Sequence, residues 1–197
     1  MKEKVLIGAG GFAREVRAHM NDYKMKCFVD QKYFQPNEDN IFPISEFDPS
    51  TMRALIVVGE PHDRKTIFNR MPIETDFFTF IHPSAQLLGD DIVIGKGSFI
   101  AANCIITTNV HLGDHTQLNL CSTIGHDCRI GNFFTTAPGA KISGNCNLGN
   151  CVYIGTNASI REKVDVCDNV TIGLQAGVVK HINESGIYVG CPVKKIG

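Results

Sequence analysis

The sequence predicts two differently built parts, an α/β unit over residues 1–81 and an all-β coil of six-residue repeats over residues 82–197. Three features point there. A strand-like run ends in a glycine turn at "KVLIGAGGFAREV". Sixteen consecutive hexads run from Leu88 to Asn183, and the twelve phenylalanines fall largely before residue 81 or at 133 and 134.

In the first part, "KVLIGAG" is an apolar strand running into glycine, "GFAREVRAHM" has helical spacing, and "KCFVD" is a second short strand ending in an acid. "ALIVVGE", "DRKTIFNRM" and "FFTFIHP" supply a further strand, helix and strand. The order β-α-β-β-α-β predicts a small, mostly parallel sheet with right-handed crossovers. The intervening "QKYFQPNEDNIFPISEFDPST" is polar and punctuated by proline, and reads as loops.

Gly8, Gly10 and Ala13 spell G-x-G-x-x-A after a strand and at the opening of a helix, and Asp30 closes the next strand twenty-two residues beyond Gly8. Gly8, Gly10 and Gly11 would let the backbone approach an anion that the helix N-terminus favours. A bare strand-to-helix turn is the alternative. About eighty residues hold one mononucleotide half, whereas a dinucleotide fold uses two, so a single nucleotide is the better fit. Asp30 would accept hydrogen bonds from ribose or base. Gly59 and Arg64 would share that carboxyl edge of the sheet, though Arg64 reads equally well as a solvated helix charge.

In the second part, each hexad opens on an aliphatic residue, with Thr136 the sole exception. The second position is glycine in eight of the sixteen, and the fifth is Ile, Val, Ala, Ser, Thr or Cys in all but the hexad holding Phe134. A period of six signals a solenoid of short strands, with glycine-tolerant corners turning the chain. Three strands make an eighteen-residue coil, and about five coils share one continuous core. Cys104, Cys128 and Cys146 occupy fifth positions and read as buried thiols. The eight cysteines contain no C-x-x-C pair, which argues against a zinc framework.

Nineteen basic and twenty acidic side chains leave a formal net charge of −1, with no basic run to grip nucleic acid or an anionic membrane. The N-terminal apolar stretch is too short for a signal h-region or a span, so a cytoplasmic protein is expected.

"TIGHDCRIG" carries the chemistry. His126 and Asp127 stand third and fourth in their hexad, so both should project outward, with Thr108 and Gly144 as stacking neighbours eighteen residues away. An outward His-Asp pair suits general-base catalysis or surface decoration. A three-histidine zinc site built from His82, His111 and His115 is a rival, weakened because His111 and His115 occupy different hexad positions. Outward apolar residues such as Phe99, Ile105, Leu120 and Phe133 would be costly on a solvated monomer and suggest a subunit interface.

As an ordered set, "IGAGGFAREV", "FVD", "VVGEPHDRKTI", "IHPSA", the hexads, "STIGHDCRIG", "APGAKISGNCNLGN" and "GIYVGCPVKKIG" resemble the NeuD/PglD-type sugar acetyltransferases. Those enzymes join a Rossmann-like nucleotide-sugar domain to a left-handed parallel β-helix, and the resemblance implies that fold and a homotrimer. It further implies that His126 takes a proton from the acceptor amine as that nitrogen attacks the thioester of acetyl-CoA, with Asp127 orienting the imidazole. Asn119 matches an acceptor-sugar contact. Gly144, Thr156 and Gly173 match the acetyl-CoA groove, and Lys194 and Lys195 lie where a tail could meet its phosphates or simply be solvated. Thr135 stands where the family often has a second histidine, and "GCPVK" replaces its usual G-x-P-A-K.

The expected activity is therefore metal-free N-acetylation of a nucleotide-linked amino sugar, such as a 4-amino-4,6-dideoxy sugar for surface glycans. The alternatives are O-acetylation of a sugar of the sialic acid type, or a non-catalytic nucleotide-sugar-binding protein.

Overall fold

The computed structural model describes residues 2–36 and 39–196. Five strands, β1 (Glu3–Ile7), β2 (Cys27–Val29), β3 (Ile41–Pro43), β4 (Met52–Ile56) and β5 (Asp76–Phe77), form one parallel sheet in the order β3-β2-β1-β4-β5. Two helices, α1 (Gly11–His19) and α2 (Pro61–Arg70), cross between strands. Helix α1 buries Ala13 and Val16 and carries Arg17 and His19 in its last turn, where cations suit the helix dipole. Helix α2 opens on Pro61, whose missing N–H costs nothing at a helix start.

Two readings of this part change. The stretch read as loops contains β3 and two 3₁₀ turns, Gln31–Tyr33 and Ile44–Glu46. Proline is tolerated in β3 because it is an edge strand. "FFTFIHP" is two strands rather than one: Asp76–Phe77 closes the α/β sheet, while Phe80–Ile81 already pairs within the coil.

The coil has three parallel faces. Strands Phe80–Ile81, Phe99–Ile100, Gln117–Leu118, Thr135–Thr136, Tyr153–Ile154 and Val170–Ile172 form the face on which the α/β unit packs, extended by Gly186–Val189 and the antiparallel Lys194–Ile196. A second face runs from Gln86–Leu87 to Gly177–Val178, and a third from Val93–Ile94 to Asp165–Val166. First-position side chains such as Ile106, Leu118, Ile124 and Ile154 point inward and are fully buried, as are Cys104, Cys128 and Cys146. The spacing is eighteen residues from Val93–Ile94 to Gly177–Val178 and sixteen in the last pairings, Val166 with Ile182 and Val170 with Gly186. Before Val93 it is nineteen, because Leu87 and not Leu88 pairs with Ile106, which leaves Leu88 exposed. The first hexad as written from Leu88 is thus one residue out of register.

The corners work differently from the expectation. Every fourth-position residue from Gly97 to Gln175 is left-handed, with φ between +49° and +73°, and five of them are asparagine. The fourth residue therefore makes the turn, at a position asparagine tolerates and most side chains resist. The second-position glycines are needed for space instead. A Cβ on Gly131 would lie 2.7 Å from the Gly149 carbonyl carbon of the next coil. Along the corner that leads into the docked face, side-chain oxygens stitch the coils together: Asn132 accepts from the Asp114 N–H at 2.8 Å, Asn150 from Asn132 at 2.9 Å and Asp168 from Asn150 at 2.7 Å.

The α/β unit and the coil share a core. Phe12 of α1 meets Phe99 edge-on at 5.5 Å, and Phe68 of α2 meets Phe133 at 5.6 Å. Phe99 and Phe133, expected at a subunit interface, are buried by helices of their own chain, and Ile105 and Leu120 are partly covered. His115 lies in the same interface, stacked on Phe133 at 5.2 Å and flanked by Phe68 and Phe77 at 4.7 Å, with both ring nitrogens unbonded. Burial, with Arg64 and Lys96 nearby, pushes its imidazole down to about 4 from the usual 6.5.

Two predictions follow from this packing. Between those values the unfolded chain binds a proton that folded His115 refuses, so stability should be full above about pH 6.5 and fall as pH drops toward 4, by roughly 3 kcal/mol at most. Urea titrations should find that slope flattened in His115→Phe. Gly131→Ala should cost about 1–3 kcal/mol through overpacking between coils, read as a lowered urea midpoint.

Candidate active site

Among the described residues the sequence-predicted functional groups concentrate in two places, on opposite sides of the coil. The first is a cavity of about 580 Å³ at the carboxyl edge of the α/β sheet, lined by Gly8, Gly10, Gly11, Asp30, Gly59 and apolar side chains including Phe28, Ile44 and Ile67. Gly8 has a φ of +115°, and a Cβ there would sit 3.1 Å from the Val57 carbonyl oxygen, so the turn requires glycine. Asp30 also lines the cavity, with both carboxylate oxygens held by Arg70 at 2.8 and 3.0 Å. Arg70, Tyr33 and Gln35 join this wall without any sequence motif to mark them.

Arg64 does not join it. The side chain is wholly buried and spends its N–H groups on His115, Val58, Gly59, Phe134, Gln117 and Thr135. Neither the substrate contact nor the solvated charge read from the sequence is what the fold makes of it. The helix α2 register turns it from the cavity into the seam between the two parts. Burial lowers its guanidinium to about 9, against a smaller opposing pull from Cys151 and Glu60. Thr135 is tied into the same seam, donating to the Gly59 carbonyl at 2.9 Å.

The second concentration is the corner between the second and third coil faces. His126 and Asp127 lie there, half exposed, with Nδ1 of His126 2.6 Å from Oδ2 of Asp127. An ionised carboxylate can only accept, so this bond places the proton on Nδ1 and leaves the Nε2 lone pair open. Asn109, one coil back in the same hexad position, donates to the other oxygen of Asp127 at 2.6 Å. Arg129 in turn donates to the side chain and backbone carbonyl of Asn109 at 2.8 and 2.7 Å. The bonds from His126 and Asn109 hold the Asp127 carboxyl below the usual carboxylate range. The eighteen-residue repeat from Asp127 is the signal that could have found Asn109. Gly144 gives the ring its room, since a Cβ there would lie 2.6 Å from Nε2.

A similar trio at the C-terminal end shows what is particular about this one. Asp165 accepts from Asn147, and His181 lies beside it, but the Asp165 backbone N–H donates to Nδ1 of His181 at 3.0 Å. That assigns the opposite tautomer, with no basic lone pair on Nε2.

The remaining candidates occupy other places. Asn119, Thr156 and Gly173 lie at the corner between the docked and second faces, a full face away from His126 and Gly144. The Asn119 side chain accepts from the Leu120 N–H at 2.9 Å. Lys195 is paired with Glu184, and Lys194 is exposed in the C-terminal strand. His111 is exposed on the third face while His115 is buried. Among the described residues no three His, Cys, Asp or Glu side chains gather as a metal-binding group.

No family model matches the sequence. The GDP-perosamine N-acetyltransferase of Escherichia coli is 38% identical over 86 residues, 44% of this chain and 38% of that enzyme. The chain spans well under half the length of the curated relatives it matches. Among solved structures, perosamine N-acetyltransferase from Caulobacter crescentus, bound to CoA and GDP-perosamine, superposes over 100% of this chain and 98% of its own with a TM-score of 0.88 at 20% identity, a likeness of fold. The acetyltransferase domain of PglB from Neisseria gonorrhoeae superposes over the whole of both chains with a TM-score of 0.86 at 26% identity.

These similarities are consistent with a NeuD/PglD-like sugar acetyltransferase family. The coil fits the left-handed β-helix fold of the acetyltransferases it superposes on. The geometry of the His126 corner makes a direct prediction. In nitrogen-resolved NMR of labelled histidine, His126 should be the Nδ1–H tautomer at neutral to basic pH, and Asp127→Ala should convert it to a mixture dominated by Nε2–H.

Proposed function

We propose that this protein is an acetyl-CoA-dependent N-acetyltransferase acting on a nucleotide-linked 4-amino-4,6-dideoxy sugar. The observation that carries the proposal is the lone pair of His126 Nε2, fixed by Asp127 and held over a corner that Gly144 keeps clear. The nitrogen of the acceptor attacks the thioester carbonyl carbon, the C–N bond forms, and the C–S bond breaks. Nε2 takes the proton from the amine, and CoA leaves as a thiolate that is then protonated. Such base catalysis contributes about 10²- to 10⁴-fold, and in-line positioning adds to it.

In this reading residues 1–81 are a Rossmann-like acceptor domain and residues 82–197 the transferase domain. The nucleotide occupies the cavity, with its phosphates at Gly8, Gly10 and Gly11 and its base or ribose at Asp30 and Gly59. GDP-perosamine is the first acceptor to test, because a 38%-identical relative carries that name. Acetyl-CoA is the donor, and Lys194 remains free to meet its phosphates. The setting is cytoplasmic assembly of surface glycans. No described helix is long and apolar enough to cross a membrane.

The layout favours a homotrimer with shared sites. The cavity lies on the docked side of the coil and His126 at the opposite corner, so the acceptor held by one chain is acetylated by the histidine of its neighbour. Gly144 on one chain and Asn119, Thr156 and Gly173 on the next would then line a common groove, since within a single chain they occupy different corners.

A panel of nucleotide-linked sugars separates the chemistry: thiol release from acetyl-CoA is expected with an amine at the acceptor carbon and absent with a hydroxyl there. Shared sites predict complementation. His126→Ala, and Gly10→Tyr, whose Cβ would meet nothing within 4 Å while its ring fills the cavity, should each be inactive alone. Trimers reassembled from a mixture of the two should regain transfer, and failure to regain it would exclude sharing.

A further inference from the structure

We infer that Arg64 is a positioning residue that sets the register of the nucleotide cavity on the coil, and so the placement of the acceptor amine. The inference rests on the acetyltransferase reading. Among the described residues no carboxylate pairs with this buried guanidinium. Its Nη1 donates to the carbonyls of Val58 at 2.7 Å and Gly59 at 3.1 Å and to Oε1 of Gln117 at 3.1 Å. Its Nη2 donates to the Phe134 carbonyl at 3.1 Å and to Thr135 Oγ1 at 2.8 Å, and its Nε to the His115 carbonyl at 3.0 Å.

These partners divide in a telling way. Val58 and Gly59 are cavity wall, while His115, Gln117, Phe134 and Thr135 belong to successive turns of the coil. Two side chains reinforce the same link. Thr135 Oγ1 donates onward to Gly59, and Gln117 Nε2 donates to the Ile56 carbonyl at 2.9 Å. Three carbonyls at the end of β4 and just beyond it are thereby bolted to the coil, those of Val58 and Gly59 through the guanidinium and that of Ile56 through Gln117. The aromatic contacts beside it, Phe12 on Phe99 and Phe68 on Phe133, hold the two parts together but are not directional. Arginine offers five donors in a fixed plane, and lysine, with three donors from a single point, cannot reach both the cavity wall and both turns of the coil.

The consequence is specific to transfer between sites. Each binding surface is built within its own part, so loosening the seam leaves each intact. It displaces one against the other, and a misplacement of about 1 Å costs about a hundredfold in rate. Arg64→Lys and the milder Thr135→Val test this in the full-length protein. Calorimetry gives the Kd for GDP and for CoA separately, and single-turnover acetylation of GDP-perosamine gives the transfer rate.

The expected result is unchanged Kd values with transfer about a hundredfold slower in Arg64→Lys and a smaller loss in Thr135→Val. Wild-type transfer in both variants would overturn the inference, as would parallel loss of nucleotide affinity and rate, which marks ordinary local unfolding. A wild-type protein that binds these ligands but transfers acetyl to no nucleotide-linked amino sugar would overturn the proposed function, and the positioning role with it.

Discussion

Stacking of one coil on the next at eighteen residues is the constraint on which the rest of the molecule depends. Each corner from Gly97 to Gln175 has a left-handed fourth residue, and at the corners where the second residue is glycine there is no space for a side chain between layers. Each layer then repeats the last, and a side chain placed at one corner has a predictable neighbour above and below. Asp127 stands at such a left-handed position, so the same geometry that turns the chain also aims its carboxylate at the adjacent imidazole. The open space over Gly144 and the bond from Asn109 are consequences of that stacking, one layer up and one layer down.

The coil supplies rigidity but little concavity, and the α/β unit supplies the reverse. Its parallel sheet ends in a cavity of nucleotide size, and its helices cover one coil face with phenylalanines that would otherwise meet water. The seam contains an arginine and a histidine that have no acidic partner among the described residues. Backbone carbonyls, an amide oxygen and a hydroxyl satisfy the arginine, while the histidine is kept neutral by burial among aromatic rings. A polar seam of this kind specifies one relative arrangement, which a purely apolar one would leave free to slide.

Much of this was legible in the sequence, because a repeat converts position into geometry. The hexads gave the coil, its inward positions and the outward setting of His126 and Asp127. What the repeat could not convey was which outward residues a second part of the same chain would cover, and so Phe99 and Phe133 read as an interface between subunits. The same holds for Arg64: its place after Gly59 suggests the cavity, and only the docking of α2 reveals that it faces the coil. Two leucines side by side mask the one-residue shift near Leu88. Asn109 needed the further step of reading the hexads as columns. Arg70 lies in no pattern at all and becomes visible only through its ion pair with Asp30.

In the proposed reaction His126 receives the proton from the acceptor, and one measurement tests that most directly: the single-turnover rate of acetyl transfer from acetyl-CoA to GDP-perosamine in His126→Ala beside the wild type, with both ligands saturating. A rate lower by about 10²- to 10⁴-fold with unchanged affinities is predicted. A rate equal to that of the wild type would contradict the account and return "TIGHDCRIG" to an ordinary corner of the coil.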